Sequence, residues 1–468
     1  MPAAEDHLLI EAVGEGGGPG VRARLEQSLR DRIRDGRLHA GTRLPPSRTL
    51  AGRLGVSRGV VVEAYAQLAA EGYLTARQGS GTRVAPGAQA AAGPGPPAPE
   101  TARPPRYDFQ LGVPDLAAFP RETWLAAMRR VVRETPDAGL GHPSPYGAEA
   151  LRDALAAYLG RVRGVVTTPG RLVVCTGFAQ GLGLLARTLR AEGVRRIAIE
   201  DPTFVLHRWI LEGAGLEAVP VPVDERGLRV GDLPATGAGA VLLAPARQSI
   251  TGAVLAPERR TELLRWARET GATVVEDDYD AEYRYDREPV GALQGLDPDL
   301  VAYGGSASKT FAPALRLGWL ALPPRLVDRL RWEKLLADAG SPTLEQLAFA
   351  HLLEHGHHDR HLRRMRLAYR RRRDALVTSV AEHVPGARVH GIAAGLHAMI
   401  ELPPGHDESA VVAAARARDV AVGPVFPHRS DPGAGPPALL AGYAALPEPA
   451  IREGIRRLGA AVTDLERG

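Results

Sequence analysis

From residue 107 onward, short apolar runs alternate with helical periodicity along most of this 468-residue chain. This alternation is typical of an α/β fold with a mostly parallel sheet. In such sheets, ligand-binding residues collect where the strands end, so the residues that follow each strand are the first candidates for a site. The predicted strands span residues 172–174, 196–199, 240–243, 273–275, 301–303 and 319–321.

Two of these strand ends indicate a site for a charged cofactor. The first strand leads into Gly177, Phe178 and Ala179, and a helix is predicted to begin near Gly181. Backbone N–H groups at the start of a helix can hold a phosphate. The fourth strand leads into an acidic segment, residues 276–279. A carboxylate directly off a buried strand needs a cation or hydrogen bonds, and a protonated pyridine nitrogen would be such a partner.

Lysine is rare in this chain, since only two of its 58 basic residues are lysines. One of them, Lys309, follows the strand predicted at 301–303 and stands close to Ser306 and Ser308, with Arg316 seven residues further on. An amine that can form a Schiff base, hydroxyl groups and a guanidinium together suit a cofactor that carries a phosphate. These residues alone leave open that Lys309 is a surface lysine on a loop.

Most of the basic excess lies in residues 21–84, which carry 12 arginines against five acidic residues, whereas the whole chain has a net charge of only +4. Apolar spacing predicts three short helices, with Ser47 and Ser57 placed to cap the second and third. Two short strands around a glycine-rich turn follow. Helices joined by a turn that contains glycine, then a strand pair, are typical of a winged helix-turn-helix that binds DNA. The alternative is a small basic domain with a protein partner.

Residues 85–106 are rich in proline, alanine and glycine and show no periodicity, which indicates a linker. At about 3.1 Å per residue where proline dominates, such a linker could reach on the order of 60 to 70 Å. That reach would allow the DNA-binding head to pack on a partner subunit.

The composition also indicates the cellular compartment in which the protein acts. Cys175 is the only cysteine, so no intrachain disulfide can form, and this fits a reducing cytoplasm. No apolar run approaches the roughly 18 residues that a membrane span needs. We therefore expect a cytoplasmic, nucleoid-associated protein without a membrane partner.

The N-terminal motifs resemble the winged helix of GntR-type bacterial regulators. The motifs are Leu44-Pro45-Pro46-Ser47-Arg48, Leu54-Gly55-Val56-Ser57-Arg58, Glu71-Gly72-Tyr73-Leu74 and Gly79-Ser80-Gly81-Thr82. The resemblance implies that Arg48, Ser57 and Arg58 reach DNA from two helix N-termini, and that the wing tip enters the minor groove through Gly79, Ser80, Gly81 and Thr82. Val60 departs from the family pattern, which usually has a threonine near the start of the recognition helix.

The remainder of the chain resembles the aminotransferase-like domain of fold type I, which binds pyridoxal 5'-phosphate and has a large and a small part. The motifs are Gly112-Val113-Pro114-Asp115, Phe119-Pro120, Tyr146-Gly147 and Ser306-Ala307-Ser308-Lys309. A GntR-type head followed by this body resembles the MocR subfamily of bacterial transcription regulators. We therefore expect a winged helix at residues 20–84, a linker at 85–106 and an aminotransferase-like effector and dimerisation domain at 107–468.

The resemblance also implies a role for each candidate site residue. Lys309 would form the Schiff base with pyridoxal phosphate, Asp277 would hold the pyridine nitrogen, and Tyr279 would hold the phenolic oxygen. Asp278 is the competing carboxylate. Phe204 would stack on the ring, unless it is a core residue. The phosphate would bind at Ser306, Ser308, Arg316 and the backbone amides of Phe178 and Ala179 beside Gly177.

Two departures concern the effector. Leucines, Leu206 and Leu440, stand where related aminotransferases place arginines that bind a substrate carboxylate. Arg208, Arg247 or Arg429 could substitute for them. Otherwise the effector is not an amino acid, and pyridoxal phosphate itself becomes a candidate signal.

Four histidines, His355, His357, His358 and His361, stand close together. Two of them have the i, i+4 spacing of metal ligands on a helix, but no carboxylate or cysteine frames them. We predict a solvated helix start and no metal site.

These features lead to one functional hypothesis and one rival. We expect a homodimeric regulator, open to a head-to-tail, domain-swapped arrangement, that binds an operator in double-stranded DNA. It would sense an amino compound or pyridoxal phosphate through Lys309. The rival is an active pyridoxal-phosphate-dependent aminotransferase that carries a DNA-binding head, and Asp277, Tyr279 and Lys309 together would permit at least an exchange of amines.

Overall fold

A computed structural model of the chain describes residues 20–77, 81–87, 105–280, 282–285, 290–391 and 393–467. The chain divides into two compact units between Ala102 and Arg103. Most of the predicted linker, at 88–104, lies outside the described residues. Of the helices that the structure describes, none is both long and apolar enough to cross a bilayer.

The first unit consists of three helices and an antiparallel strand pair, as the sequence predicts. Apolar residues at four-residue spacing fall on one face of a helix, and all four such residues of the first helix are buried, with Leu25, Leu29 and Ile33 fully enclosed. Leu50 and Leu68 complete the core from the next two helices. The elements are α1 (Val21–Arg34), α2 (Ser47–Leu54), α3 (Arg58–Ala70), β1 (Leu74–Arg77) and β2 (Gly81–Val84).

One predicted helix cap is wrong. Pro46 occupies the N-cap of α2, and Ser47 is its first helical residue. The Ser47 hydroxyl instead accepts a hydrogen bond from Arg58 Nε at 3.4 Å, which joins the starts of α2 and α3. Ser57 does occupy the N-cap of α3, in extended conformation and without a side-chain cap bond among the described residues.

The second unit contains a large sheet and a smaller sheet, both covered by helices. Its helices are α4 (Arg121–Glu134), α5 (Glu149–Arg163), α6 (Phe178–Ala191), α7 (Val205–Gly213), α8 (Leu233–Thr236), α9 (Pro257–Thr270), α10 (Pro324–Asp338), α11 (Thr343–Glu354), α12 (His357–His383), α13 (Glu408–Ala417) and α14 (Glu448–Arg467). Its strands are β3 (Tyr107–Asp108), β4 (Leu172–Cys175), β5 (Arg196–Asp201), β6 (Glu217–Asp224), β7 (Gly227–Leu228), β8 (Ala240–Leu243), β9 (Thr273–Asp278), β10 (Val301–Ser306), β11 (Gly318–Ala321), β12 (Arg388–His390), β13 (His397–Glu401), β14 (Val420–Ala421), β15 (Gly423–Pro424) and β16 (Ala438–Gly442).

The large sheet has eight strands in the order β4-β11-β10-β9-β8-β5-β6-β7. Its central strands are parallel, whereas β11 is antiparallel to both neighbours and β7 is antiparallel to β6. The predicted α/β class with a mostly parallel sheet is confirmed. Gly304 of β10 pairs with Asp277 of β9, and Gly305 pairs with Asp278. This register places the carboxyl ends of the two strands side by side.

The smaller sheet has the order β12-β13-β16-β15. It packs with α12, α13 and α14 around a separate hydrophobic core that contains Tyr369, Leu376, Ile400 and Ile455. Two hydrogen bonds join this region to Asp115, which accepts from Arg372 Nη2 at 2.6 Å and whose backbone N–H donates to the Tyr369 hydroxyl at 2.9 Å. These bonds hold the segment that begins at Gly112.

Candidate cofactor site and DNA-binding face

A cavity of about 180 Å³ opens at the carboxyl ends of the strands of the large sheet. Nine of the ten residues that the sequence predicts for the cofactor line it, and the tenth, Gly177, directly precedes two of them. The nine are Phe178, Ala179, Phe204, Asp277, Tyr279, Ser306, Ser308, Lys309 and Arg316. The fold therefore brings together side chains from four separate strand ends.

Lys309 lies in the turn that follows β10 and faces Gly112 across the cavity. A Cβ atom on Gly112 would stand 2.7 Å from Lys309 Nζ, and Gly112 has a φ of 69°. Only glycine allows the backbone to pass so close to the amine. Burial lowers the pKa of Lys309, and the nearby carboxylates Asp280 and Asp277 partly offset that effect. A lowered pKa favours the neutral, nucleophilic amine.

The structure distinguishes the two adjacent aspartates of β9. Asp278 points away from the cavity and accepts hydrogen bonds from Arg163 Nε at 2.8 Å and from the Tyr303 hydroxyl at 2.7 Å. Asp277 lines the cavity, and its Oδ1 is buried without a hydrogen-bond partner among the described residues. Burial, then the nearby Asp278, raises the pKa of Asp277 well above its usual range. A cationic or donating ligand would stabilise its charged form.

His207 stands behind Asp277, a position that sequence reasoning missed. Its Nε2 lies 3.9 Å from Asp277 Oδ2. Burial, and then the charge of Lys309, lowers the pKa of His207 to about 4. The imidazole is therefore neutral near pH 7, and this contact is not an ion pair. His207 follows Phe204 by three residues, and this helical spacing is the signal that could have revealed it.

Tyr279 is held by an arginine from a neighbouring strand end. Arg247 Nη1 donates to the Tyr279 hydroxyl at 2.5 Å and to Asp280 Oδ2 at 3.2 Å. Because the guanidinium can only donate, the Tyr279 proton remains available for an acceptor in the cavity. Arg247 thus positions the phenol.

The opposite end of the cavity is suited to an anion. Helix α6 begins at Phe178, three residues earlier than predicted, because Gly177 adopts a φ of 90° that lets the chain turn directly from β4 into the helix. The backbone N–H groups of Phe178 and Ala179 are therefore at the helix start, where anions bind. Arg316, in left-handed conformation at a φ of 49°, donates to the Thr176 carbonyl at 2.5 Å and lies over Gly177.

Phe204 is half-buried in the cavity wall, immediately before α7. Its ring stacks on His428 with a centroid separation of 5.8 Å and an interplanar angle of 20°. It contacts His207 edge to face at 5.4 Å. Because it lines the cavity and is only half-buried, the alternative that Phe204 is a core residue is wrong.

None of the three arginines proposed as substitutes lines the cavity in the described part of the chain. Arg247 is buried among the acceptors named above. Arg208 donates to the Arg429 carbonyl at 3.2 Å, and Arg429 pairs with Glu408 at 3.2 Å. Leu206 does line the cavity and is 39% exposed, whereas Leu440 is buried in a separate apolar cluster.

Several further lining residues were not found from the sequence. Asp280 directly follows the acidic segment 276–279, and this position in the sequence could have revealed it as a site residue. Ser249 and His397 are distant in the chain, and no local pattern marks them. Gly112, part of a motif in the sequence, and Leu206, a departure from the family pattern, also line the cavity. The lining residues that the sequence did not mark are Leu111, His207, Ser249, Asp280, Leu396 and His397.

On the first unit, the residues predicted to bind DNA lie at two helix starts. Arg48, Ser57 and Arg58 are exposed at the N-termini of α2 and α3. Gly81 begins β2, and Thr82 follows it. Gly79 and Ser80 lie outside the described residues.

The four histidines near residue 357 do not form a solvated helix start. His358 and His361 are 2% and 6% exposed, and His358 stacks on Phe311 at 5.2 Å. Their α12 packs its first turn against the large sheet's core, so this prediction is wrong for these two. Among the residues that the structure describes, no group of histidine, cysteine and carboxylate side chains is arranged to hold a metal ion.

Comparison with known proteins defines the class of both units. Residues 109–458 match the family described as aminotransferase class I and II, and residues 21–84 match the bacterial regulatory proteins of the gntR family. The second unit is similar to LysN, the α-aminoadipate aminotransferase of Thermus thermophilus complexed with N-(5'-phosphopyridoxyl)-L-leucine. The TM-score is 0.70 at 27% identity, covering 77% of this chain and 92% of that one. The second unit has the fold type I architecture of aminotransferases, which is typically pyridoxal-phosphate-dependent.

Relatives contain both units in the same order. The chain is 34% identical to the probable rhizopine catabolism regulatory protein MocR of Rhizobium meliloti, over 95% of this chain and 94% of that protein. It is also 34% identical to the pyridoxine biosynthesis transcriptional regulator PdxR of Corynebacterium glutamicum, over 81% of this chain and 83% of that protein. The chain belongs to the MocR subfamily of GntR-type transcription regulators, and its winged helix implies that it binds DNA.

Proposed function

We propose that this regulator binds pyridoxal phosphate in the cavity beside Lys309 and that a small molecule bound there changes its affinity for operator DNA. One observation carries the proposal: Lys309 shares a cavity with Asp277, a buried carboxylate whose Oδ1 lacks a partner among the described residues. A buried charge without a partner is costly. A protonated ring nitrogen would supply the partner that this carboxylate lacks.

The other residues fit the remaining parts of the same cofactor. The start of α6 and Arg316 would hold the phosphate, with Ser306 and Ser308 as further donors. Phe204 would pack against the ring, and Tyr279 would donate to the phenolic oxygen. When bound, pyridoxal phosphate supplies an aldehyde that reacts reversibly with amines.

Around that cofactor, the protein itself would provide orientation and proton placement. Burial lowers the pKa of the Lys309 amine, so more of the amine is in its reactive neutral form than in water. Neutral His207 lies 3.9 Å from Asp277 Oδ2, and Arg247 orients the Tyr279 hydroxyl. These side chains serve ligand binding equally in a sensor and in an enzyme.

The regulatory step requires a ligand with different affinities for two states of the protein. The candidate signals are an amino compound or pyridoxal phosphate itself. We propose a homodimer, because exposed apolar residues such as Trp332 and Leu336, at 52% and 65% exposure on α10, support a protein interface. Two heads would then bind a repeated site, with a spacing set by the dimer, and the protein would act in the cytoplasm at the nucleoid.

A footprint on DNA tests this function. Full-length wild type and Lys309→Ala are each loaded with pyridoxal phosphate, and protection of an operator isolated by in vitro selection is measured with and without candidate amines. We expect a ligand-dependent footprint only in wild type. A wild-type footprint that neither pyridoxal phosphate nor any amine changes would contradict the proposal. Sustained turnover of an amino acid with a keto acid would instead favour the rival, an active aminotransferase.

A further inference from the structure

Besides Asp277 Oδ1, two further hydrogen-bond acceptors in the cavity wall have no partner in the described part of the chain. Asp280 Oδ1 and His397 Nδ1 are both buried and unpaired, and both residues line the cavity. Their side chains lie around one guanidinium, because Arg247 Nη1 is 3.2 Å from Asp280 Oδ2 and 3.3 Å from His397 Nε2. Buried polar atoms in proteins are normally hydrogen-bonded, so these two unpaired atoms indicate a ligand.

The tautomer of His397 follows from its neighbours. Its Nε2 lies 2.9 Å from the Ser249 carbonyl, which can only accept, and 3.3 Å from Arg247 Nη1, which can only donate. The shorter contact is to the acceptor, so we assign the proton to Nε2. Burial, and then the charge of Arg247, holds the pKa of His397 well below its usual range, so the ring is neutral. Its Nδ1 is consequently a free lone pair. The cavity wall thus presents two acceptors side by side.

The Arg247 guanidinium at this end of the cavity donates to acceptors of the protein itself. Besides its bonds to Tyr279 and Asp280, Arg247 donates from Nη2 to the His397 carbonyl at 2.7 Å, and its Nε is buried without a partner among the described residues. A Cβ atom on Gly395 would stand 2.6 Å from Arg247 Nε, so the backbone covers that edge of the guanidinium. Apart from Ser249, the rest of this wall is apolar, with Leu111, Leu206 and Leu396. A carboxylate placed here would face an aspartate and a lone pair.

We propose that the effector is an amine that carries a second hydrogen-bond donor, either a hydroxyl or a second amino group, and no carboxylate. The second donor binds Asp280 and His397, while the first amino group lies towards Lys309. This inference rests on the proposed function, since it assigns a chemical class to the ligand of the same cavity.

The test uses four ligands of matched length that differ only in the terminal group: 4-aminobutan-1-ol, 1,4-diaminobutane, butylamine and 4-aminobutanoate. Each is titrated calorimetrically into the full-length protein loaded with pyridoxal phosphate. We expect the amino alcohol or the diamine to bind at least about tenfold more tightly than butylamine, because each gains a hydrogen bond to a charged acceptor. 4-Aminobutanoate should bind most weakly. The difference between the first two ligands shows which donor the site prefers.

Two variants make the assignment specific. Asp280→Asn should remove most of the preference for the amino alcohol or the diamine over butylamine. Pyridoxal phosphate should still bind to this variant, as measured by its absorbance. Leu206→Arg introduces a cation at a half-exposed lining position that tolerates a long side chain. It should raise the affinity for 4-aminobutanoate by about tenfold or more. This variant tests the same charge argument if Asp280→Asn does not fold. Equal or tighter wild-type binding of 4-aminobutanoate, or no binding of the two donor-bearing amines, overturns the inference. Failure to load pyridoxal phosphate would count against the proposed function instead.

Discussion

Arg163 Nε donates to Asp278 Oδ2 at 2.8 Å, and both side chains are 1% exposed. Removing one partner from a buried ion pair leaves an uncompensated charge. Asp277, the residue before Asp278 in the same strand, has no such partner among the described residues. The two carboxylates therefore have separable roles, one in stability and one in ligand binding.

Matched substitutions at these two positions separate the roles. Asp278→Asn should lower the free energy of unfolding by about 3 to 5 kcal/mol, because Arg163 stays buried without its carboxylate. Asp277→Asn should change it by less than about 1 kcal/mol, yet weaken pyridoxal phosphate binding at least about tenfold. Urea unfolding and cofactor titration measure the two effects. The opposite pattern would show that Asp278 is the cofactor ligand.

A second prediction concerns the glutamine beneath the helix start of α6. Gln180 Oε1 accepts from the Thr176 N–H at 2.8 Å and from Lys334 Nζ at 3.3 Å, and its Nε2 donates to Asp338 at 2.7 Å. Gln180→Met keeps the shape of the side chain but leaves the backbone before Gly177 without its acceptor. We expect stability to fall by about 1 to 3 kcal/mol and the affinity for pyridoxal phosphate to fall several-fold. Gln67→Met, in the first unit, is the control and should leave cofactor affinity unchanged.

The buried histidine of α12 predicts a pH effect on stability. Burial lowers the pKa of His358 to about 3. Between about pH 6.5, the usual histidine value, and pH 3, the unfolded chain binds a proton that the folded chain does not. Stability is thus fully present above pH 6.5 and is lost as the pH falls. Relative to His358→Leu, wild type should lose about 2 kcal/mol between pH 7.5 and pH 5. A wild-type-minus-variant difference that stays constant between these pH values would contradict the assignment.

On the DNA-binding face, Arg48→Ala and Arg58→Ala should each weaken operator binding. If Arg58 contacts a base, the loss is about 1 to 3 kcal/mol and is specific to one base pair. If it contacts only phosphate, binding weakens on all sequences, and the slope of log affinity against log salt falls by about one. Arg22→Ala serves as the control, because Arg22 pairs with Glu63 at 3.1 Å on the same unit. Unchanged binding by both test variants would remove these helix starts from the interface.

Local sequence patterns predict much of the architecture. The four-residue spacing in α1, the glycine turn after α2 and the strand runs of the large sheet each predict an element that the structure contains. The candidate cofactor residues were found because parallel strands deliver them to one edge of the sheet. The helix caps and helix starts were less predictable. Pro46, and not Ser47, occupies the N-cap of α2, and α6 begins directly after Gly177 instead of near Gly181.

The sequence by itself determined the two-unit organisation, the α/β class, and the presence of an amine, hydroxyls, carboxylates and a guanidinium at strand ends. Only the tertiary structure decided which of these side chains face the cavity. Alternation in β9 puts Asp277 and Asp278 on opposite faces, but the packing of α5, which carries Arg163, decides which face is closed. Likewise, Arg247 is a candidate anion ligand in the sequence, and becomes a support for Tyr279 and Asp280 because Gly391, Gly395 and His397 lie against it. Burial and pairing depend on contacts between distant segments, which no local pattern encodes.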